Sequence, residues 1–260
     1  MIETAASFNY RLVNLDENWP LGRHDVSGAL DAPADKQHYL HSLVYRFLLV
    51  QGLVTDFQRE AMFIDSRIGK REDRTFLFFL KAMQWALTGE KLFAPLEYDA
   101  STEAEHFFTD HLQRMTGQVW KDGEPLEWDD FVTSIQQGGE GTAVLQFFDG
   151  IRPGELRWDR LRAYRLVLMA FVNTFGYGMQ RSPRKWLKAV ADDIEHPEVA
   201  ANLYRWLPKF GLRYQWWILV LRKALKSRAR QSPQGRRLLK QKFDVVRSSQ
   251  PALPASKPSR

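Results

Sequence analysis

From Asp35 onward, apolar residues recur at intervals of three and four along most of the chain. In residues 35–53, for example, Leu40, Leu43, Val44 and Phe47 fall on one side of a helix. This spacing is typical of an amphipathic helix whose apolar stripe faces a core. Because similar segments follow along the chain, the pattern predicts an all-α fold, an irregular bundle of roughly eight to ten helices.

Two stretches depart from the helical pattern. Residues 8–15 alternate apolar and polar positions, and the Pro- and Gly-containing segment that follows is typical of a loop, so residues 1–33 are predicted to form an extended arm with a short strand. The Asp122–Gly123 pair between apolar neighbours predicts a small β-hairpin near residues 119–128. Residues 117–156 are the least regular part of the chain and the candidate place for a subdomain boundary.

Glycine, proline and small polar residues indicate where the helices begin and end. Gly52 is expected to end or bend the first helix. A capping box of Thr102 and Glu105 predicts a helix start there, and Ser182 before Pro183 predicts another. Pro233 is expected to begin a last, basic helix. The predicted organisation is therefore an arm (1–33), a helical domain (34–230), and a basic helix with a disordered tail (231–260).

The amino-acid composition excludes several kinds of site and of membrane attachment. The 260 residues include no Cys, which excludes disulfides, thiolate metal ligands and Cys nucleophiles. The first residues do not resemble a signal peptide, and the longest apolar runs, 166–172 and 216–221, are far shorter than the ~20 residues that span a bilayer. We expect a cytoplasmic protein without a transmembrane segment.

Charge is distributed unevenly along the chain. Residues 213–260 contain 13 Lys and Arg against one acid, Asp244, a net charge of +12. The first 212 residues contain 24 basic and 30 acidic residues, a net charge of −6. A cationic segment attached to a mildly acidic body favours an anionic partner.

The basic residues of the C-terminal third are the candidate nucleic-acid ligands. Lys and Arg can neutralise phosphates and release counterions, and aromatic residues between them are suited to base stacking. The candidates are Arg181, Arg184, Lys185, Lys188, Arg205, Lys209, Arg222, Lys223, Lys226, Arg228, Arg230, Arg236, Arg237, Lys240 and Lys242.

Aromatic residues at helical spacing are more often part of a core than of a binding surface. Trp206, Phe210, Trp216 and Trp217 are therefore predicted to be core residues, and Trp186 is left open between the two interpretations. Because residues 216–221 are apolar nearly all round, residues 213–221 are expected to be buried and to lie outside the binding surface.

No linear motif indicates a catalytic or metal site. Glu103 and His106 have the spacing of a carboxylate-bridged metal motif, but such a site needs this pair twice. The glycines of 138–141 are not followed by the Lys of a phosphate-binding loop. Neither a cofactor nor a metal is predicted, and the sequence gives no positive indication of an enzyme.

These patterns predict a non-catalytic nucleic-acid-binding protein, a subunit or accessory factor of a larger nucleoprotein complex. Its acidic body would contact other protein subunits, and its basic region would contact the phosphate backbone of DNA or RNA. Two alternatives stay open. One is a peripheral membrane or protein-interaction module that uses the amphipathic basic helix, and the other is a helical enzyme with a scattered polar or metal site.

Overall fold

A computed structural model describes residues 1–27, 34–61, 70–103, 105–121, 124–136 and 142–241. The predicted all-α fold is confirmed, although the described residues form eleven α-helices rather than eight to ten. The predicted tail from residue 242 onward lies outside the described residues. The α-helices are α1 (Ile2–Asn18), α2 (Ala34–Ala61), α3 (Arg71–Thr88), α4 (Thr109–Met115), α5 (Trp128–Gln136), α6 (Thr142–Phe148), α7 (Leu156–Phe175), α8 (Arg184–Asp192), α9 (Pro197–Trp206), α10 (Trp216–Ala229) and α11 (Pro233–Lys240).

The first residues form a helix and not the extended arm that was predicted. In α1, Phe8, Leu12 and Leu15 are fully buried, whereas Tyr10 is exposed. The apparent alternation therefore combined two core residues with a surface tyrosine, and the true spacing is that of a helix. α1 packs against α2 and α7, so it belongs to the body of the protein.

The first predicted helix continues through Gly52, because α2 runs from Ala34 to Ala61. The ring of Trp120 packs over Gly52, which lies in the middle of the helix. Trp120 belongs to the predicted hairpin, which is confirmed as two short antiparallel strands, β1 (Trp120–Lys121) and β2 (Glu124–Pro125). The hairpin is thus held against α2 by an aromatic contact.

The capping box predicted at Thr102 is absent, and α4 begins seven residues later. The Glu103 carboxylate instead accepts a hydrogen bond from the Phe108 N–H at 2.9 Å. It also pairs with His111 on α4. Glu103 therefore anchors the start of α4 from the preceding loop.

The core is organised around α7, which is buried along most of its length. Two of its buried charged side chains are held by hydrogen bonds. The guanidinium of Arg160 donates to the carbonyls of Ala86 (3.0 Å) and Glu105 (2.5 Å). The Asp159 carboxylate accepts the backbone N–H groups of Glu195 and His196, both at 2.8 Å. Because these bonds satisfy buried charges, α7 ties the N-terminal helices to α8 and α9.

Ser182 was predicted to cap α8, but the structure makes Pro183 the N-cap residue, and Ser182 instead fixes the entry to the helix. Ser182 is buried, and its N–H and carbonyl both bond to the side-chain amide of Asn173 on α7, at 2.7 and 2.9 Å. Its hydroxyl accepts a hydrogen bond from Asn9 on α1. α8 then begins at Arg184, with Pro183 as its N-cap residue. The start of α8 is therefore tied to both α1 and α7.

Candidate nucleic-acid interface

α8 and α10 pack against each other, and a contact between their first residues defines the candidate interface. Leu187 and Val190 of α8 and Ile218 and Leu221 of α10 are buried. The guanidinium carbon of Arg184 lies 4.6 Å from the centre of the Trp216 ring. The two helices therefore present a stacked cation and indole where both begin.

The outer side of α10 carries a single exposed stripe. Trp216, Leu219, Lys223, Ser227 and Arg230 are all exposed and follow one another at intervals of three or four, so they lie on one side of the helix. The stripe is apolar at its first two positions and basic at Lys223 and Arg230. We call these five residues the α10 stripe.

The stripe corrects the prediction that residues 213–221 are buried. Trp216 is 56% exposed and Leu219 is 45% exposed, whereas Trp217 is half-buried and packs against the core. Residues 216–221 are apolar on every side, but only one side contacts α8 and α9. The Trp216 side chain is thus available to a ligand, contrary to the sequence-based expectation.

The segment before α10 is shaped by Gly211. This residue has a positive φ of 81°, and a Cβ would lie 2.5 Å from the Phe78 ring, so the position requires glycine. The chain then turns outward at Tyr214, which is 74% exposed, while the side chain of Arg213 donates to the Pro208 carbonyl at 3.2 Å. A second exposed ring therefore lies just before Trp216.

α8 contributes cations and a further aromatic side chain. Lys185 is exposed, and Lys188 is exposed and pairs with Asp192. Arg181, three residues before α8, is exposed as well and donates from Nε to the Gly176 carbonyl at 3.2 Å. Trp186, which the sequence left open between core and surface, is 46% exposed and therefore lies on the surface. The predicted ligands on α8 are thus surface residues.

The helices that carry these cations have almost no acidic residues. No Asp or Glu occurs in the sequence between Asp159 and Asp192 or between Glu198 and Asp244. α10 and α11 accordingly carry no carboxylate, and α8 carries one, in its last turn. Surfaces that only maintain solubility mix both signs, so this composition favours an anionic ligand.

Not every predicted ligand lies on the outer surface. The Arg228 guanidinium donates to the carbonyls of Ile194 (2.6 Å) and Glu195 (2.9 Å), which lie in the link between α8 and α9. Arg222 lies over the Tyr204 ring at 4.5 Å and is half-buried. Lys226 is half-buried as well. We therefore assign Arg228 a structural role and leave Arg222, Lys226 and Arg228 out of the interface.

Arg205 and Lys209 belong to a different cluster, at the end of α9. The Lys209 ammonium lies 3.8 Å from the centre of the Trp206 ring, and the Lys91 ammonium lies 5.9 Å from the same ring. Burial, and then the nearby charges of Lys91 and Arg205, lower the pKa of Lys209. Burial also lowers the pKa of Arg205. Lys91 was not among the predicted ligands, because it lies over a hundred residues away in sequence.

α11 presents the remaining cations. Arg236, Arg237 and Lys240 are exposed, whereas Leu238 packs into the core. The Ser232 hydroxyl caps the helix by accepting the Gly235 N–H at 2.8 Å, as expected for a helix that begins at Pro233. Lys242 lies outside the described residues. α11 therefore extends the cationic surface beyond Arg230.

Exposed apolar side chains surround these cations, and the sequence pattern did not predict them. Ten large hydrophobic side chains are exposed among the described residues, and six of them lie between residues 177 and 219. The spacing of Trp216, Leu219 and Lys223 could have indicated the exposed side of α10, because it places two apolar residues in one stripe with a cation. The six are Tyr177, Met179, Trp186, Tyr214, Trp216 and Leu219.

A polar cavity of about 560 Å³ lies in another part of the protein. It is lined by Glu103, Glu105, Glu155 and Arg157, among others, and Arg157 pairs with Glu155 at 2.7 Å. Burial raises the pKa of Glu105. In the part of the chain that the structure describes, no three His, Asp or Glu residues converge as metal ligands. The cavity therefore holds three carboxylates, one of them paired with Arg157, and the Thr102 side chain also lines it.

Within the described ranges, no helix is both long enough and apolar enough to cross a bilayer. The chain matches no protein-family model, no curated protein and no solved structure.

Proposed function

We propose that the protein is a non-catalytic, cytoplasmic nucleic-acid-binding protein, a subunit or accessory factor of a larger nucleoprotein complex. The observation that carries the proposal is the Arg184–Trp216 pair, a guanidinium stacked on an exposed indole within a surface that has almost no acidic residues. The interface comprises Arg181, Arg184, Lys185, Lys188, Lys223, Arg230, Arg236, Arg237 and Lys240, with Trp186, Tyr214 and Trp216.

Two properties of this surface support a polyanion that contains aromatic bases. Its cations are exposed, so they can neutralise phosphates and release condensed counterions. Its exposed rings lie beside those cations, an arrangement that combines backbone contacts with base stacking.

The acidic part of the chain supports contacts with protein partners. The net charge of −6 over residues 1–212 is opposite in sign to the C-terminal region. In this proposal nucleic acid binds at α8, α10 and α11, while the acidic body faces other subunits of the complex. Phosphate contacts of this kind position a protein without reading bases, so we expect weak sequence specificity.

Binding of a fluorescently labelled oligonucleotide, followed by anisotropy, tests the proposal. We expect binding with a Kd of about 100 µM or tighter at physiological salt, and tighter binding as the salt is lowered. Poly-aspartate of the same charge should compete more weakly, since it has no bases to stack. Absence of binding to both DNA and RNA in low salt would contradict the proposal.

A second candidate function is binding to an anionic membrane surface. It is favoured by Met179, which is 95% exposed, and by Leu219, because aliphatic side chains beside cations are typical of interfacial membrane contacts. Flotation with anionic vesicles separates the two functions. Flotation without binding to nucleic acid would favour the membrane, and nucleic-acid binding without flotation would favour the first proposal.

A further inference from the structure

Trp216 keeps open ring surface although Arg184 covers part of it. An indole has two faces, and the guanidinium lies over the ring at 4.6 Å from its centre. Even so, 56% of the residue is exposed, and Tyr214, two residues earlier, is 74% exposed. Two aromatic rings at the start of α10 are therefore available to a flat ligand.

We infer that this surface binds single-stranded nucleic acid in preference to duplex, with Trp216 as the ring on which an unpaired base stacks. The inference rests on the proposed function and specifies its substrate class.

The accessibility of base faces distinguishes the two substrates. In a duplex each base is covered above and below by its neighbours, so a protein reaches only base edges, sugars and phosphates. In a single strand the bases can be splayed apart and stacked on aromatic side chains. Exposed Trp216 and Tyr214 rings would gain little from a duplex backbone, whereas they match an unpaired base.

The cations of the α10 stripe suit a strand that continues along the helix. Lys223 and Arg230 follow Trp216 on the same side, at seven and fourteen residues. At 1.5 Å per residue the stripe extends over about 21 Å, enough for several nucleotides of one strand. One strand could therefore contact both ends of the stripe, with an unpaired base on Trp216 and its phosphates beside Lys223 and Arg230.

Substitution of Trp216 tests the inference through the ratio of two affinities. We expect the wild-type protein to bind a single-stranded oligonucleotide more tightly than the duplex of the same sequence. Trp216→Ala should weaken single-strand binding about 10-fold and leave duplex binding nearly unchanged, since only the stacked base loses its platform. Trp216→Phe should have a single-strand affinity between those of the wild-type protein and Trp216→Ala, because it keeps a smaller ring.

Tyr10 provides a matched control, since it is an exposed aromatic residue on α1 and outside the interface. Tyr10→Ala should leave both affinities unchanged. A thermal unfolding curve for each variant establishes that it folds, and competition of duplex against single strand for the wild-type protein needs no variant at all.

The outcomes separate this inference from the function on which it rests. Equal affinity for single strand and duplex, or equal weakening of both by Trp216→Ala, would overturn the single-strand inference and leave nucleic-acid binding intact. Failure of the wild-type protein to bind either form, with or without flotation on anionic vesicles, would overturn both. Selective loss of single-strand affinity would support both.

Discussion

Neighbouring cations on α10 have opposite environments, and this difference decides their roles. Arg228 turns toward the body of the protein, where it donates to the Ile194 and Glu195 carbonyls. Lys223 lies on the α10 stripe and is exposed. The sequence identifies both residues as cations of a basic helix. It cannot show which carbonyls lie within reach of each side chain, because residues 194 and 195 belong to the segment between α8 and α9.

Alanine substitutions at these two positions should have opposite effects. Arg228→Ala should lower the free energy of unfolding by about 1 kcal/mol, because the part-buried Ile194 carbonyl loses its donor, and should leave oligonucleotide affinity unchanged. Lys223→Ala should change stability by less than about 0.5 kcal/mol and should reduce the salt dependence of binding. Urea unfolding and anisotropy measure the two effects, and the reverse assignment of effects would contradict the structure.

His24 provides a prediction on pH. It is buried, its Nε2 lies 2.7 Å from the Ile151 carbonyl, and burial lowers its pKa from the ordinary 6.5 despite the nearby Asp25 and Asp149. Below pH 6.5 the unfolded chain takes up a proton that the folded protein resists, so stability falls as the pH falls. Between pH 7.5 and 5.5 this contribution is at most about 1.4 kcal/mol.

The variant His24→Asn isolates this contribution from other titrating groups. Wild-type protein should lose more stability than His24→Asn between the two pH values, as measured by urea unfolding. Parallel loss of stability in both proteins would show that His24 titrates alike in the folded and unfolded states.

At the scale of elements, the helices with long apolar stripes were predictable and the N-terminal one was not. α3 ends at Thr88, directly before Gly89, and α9 begins at Pro197, as the glycine and the proline indicate. α1 was misread because Tyr10 lies between Phe8 and Leu12, and three residues cannot distinguish a strand from a helix whose surface carries a tyrosine. Its helical state is fixed by packing against α2 and α7.

α1 is also held by charge, which leads to a test of its place in the body. Asp16 pairs with Arg162 and Arg165 of α7, whose side chains are almost completely buried. Asp16→Ala should therefore cost about 3 kcal/mol of stability, because the buried Arg165 guanidinium loses its counterion. Arg162 keeps a second partner, the Asp193 carboxylate at 2.7 Å. Glu17→Ala, at an exposed neighbouring position, should change stability by less than about 0.5 kcal/mol. Similar small losses for both variants in urea unfolding would contradict the docking of α1.

At the scale of the whole molecule, a single hydrophobic cluster runs from Ala5 to Leu238 and holds an acidic body together with a basic, aromatic surface. The sequence alone predicted the fold class, the charge separation and most of the exposed cations. It could not predict the exposed rings of Trp216 and Tyr214, since the amount of chain packed around α10 depends on long-range contacts. For the same reason, the sequence could not predict that Lys91 lies near Lys209.

The salt dependence of single-strand binding tests whether the surface of α8, α10 and α11 binds the phosphate backbone. A triple variant, Lys185→Gln, Lys223→Gln and Arg230→Gln, removes three exposed cations of this surface. A matched triple variant, Arg23→Gln, Arg59→Gln and Arg152→Gln, removes three exposed cations of other elements. We predict that the slope of log Kd against log salt decreases by about 2 in the first variant and is unchanged in the second. An unchanged slope in the first variant, or an equal decrease in both, would contradict phosphate binding by this surface.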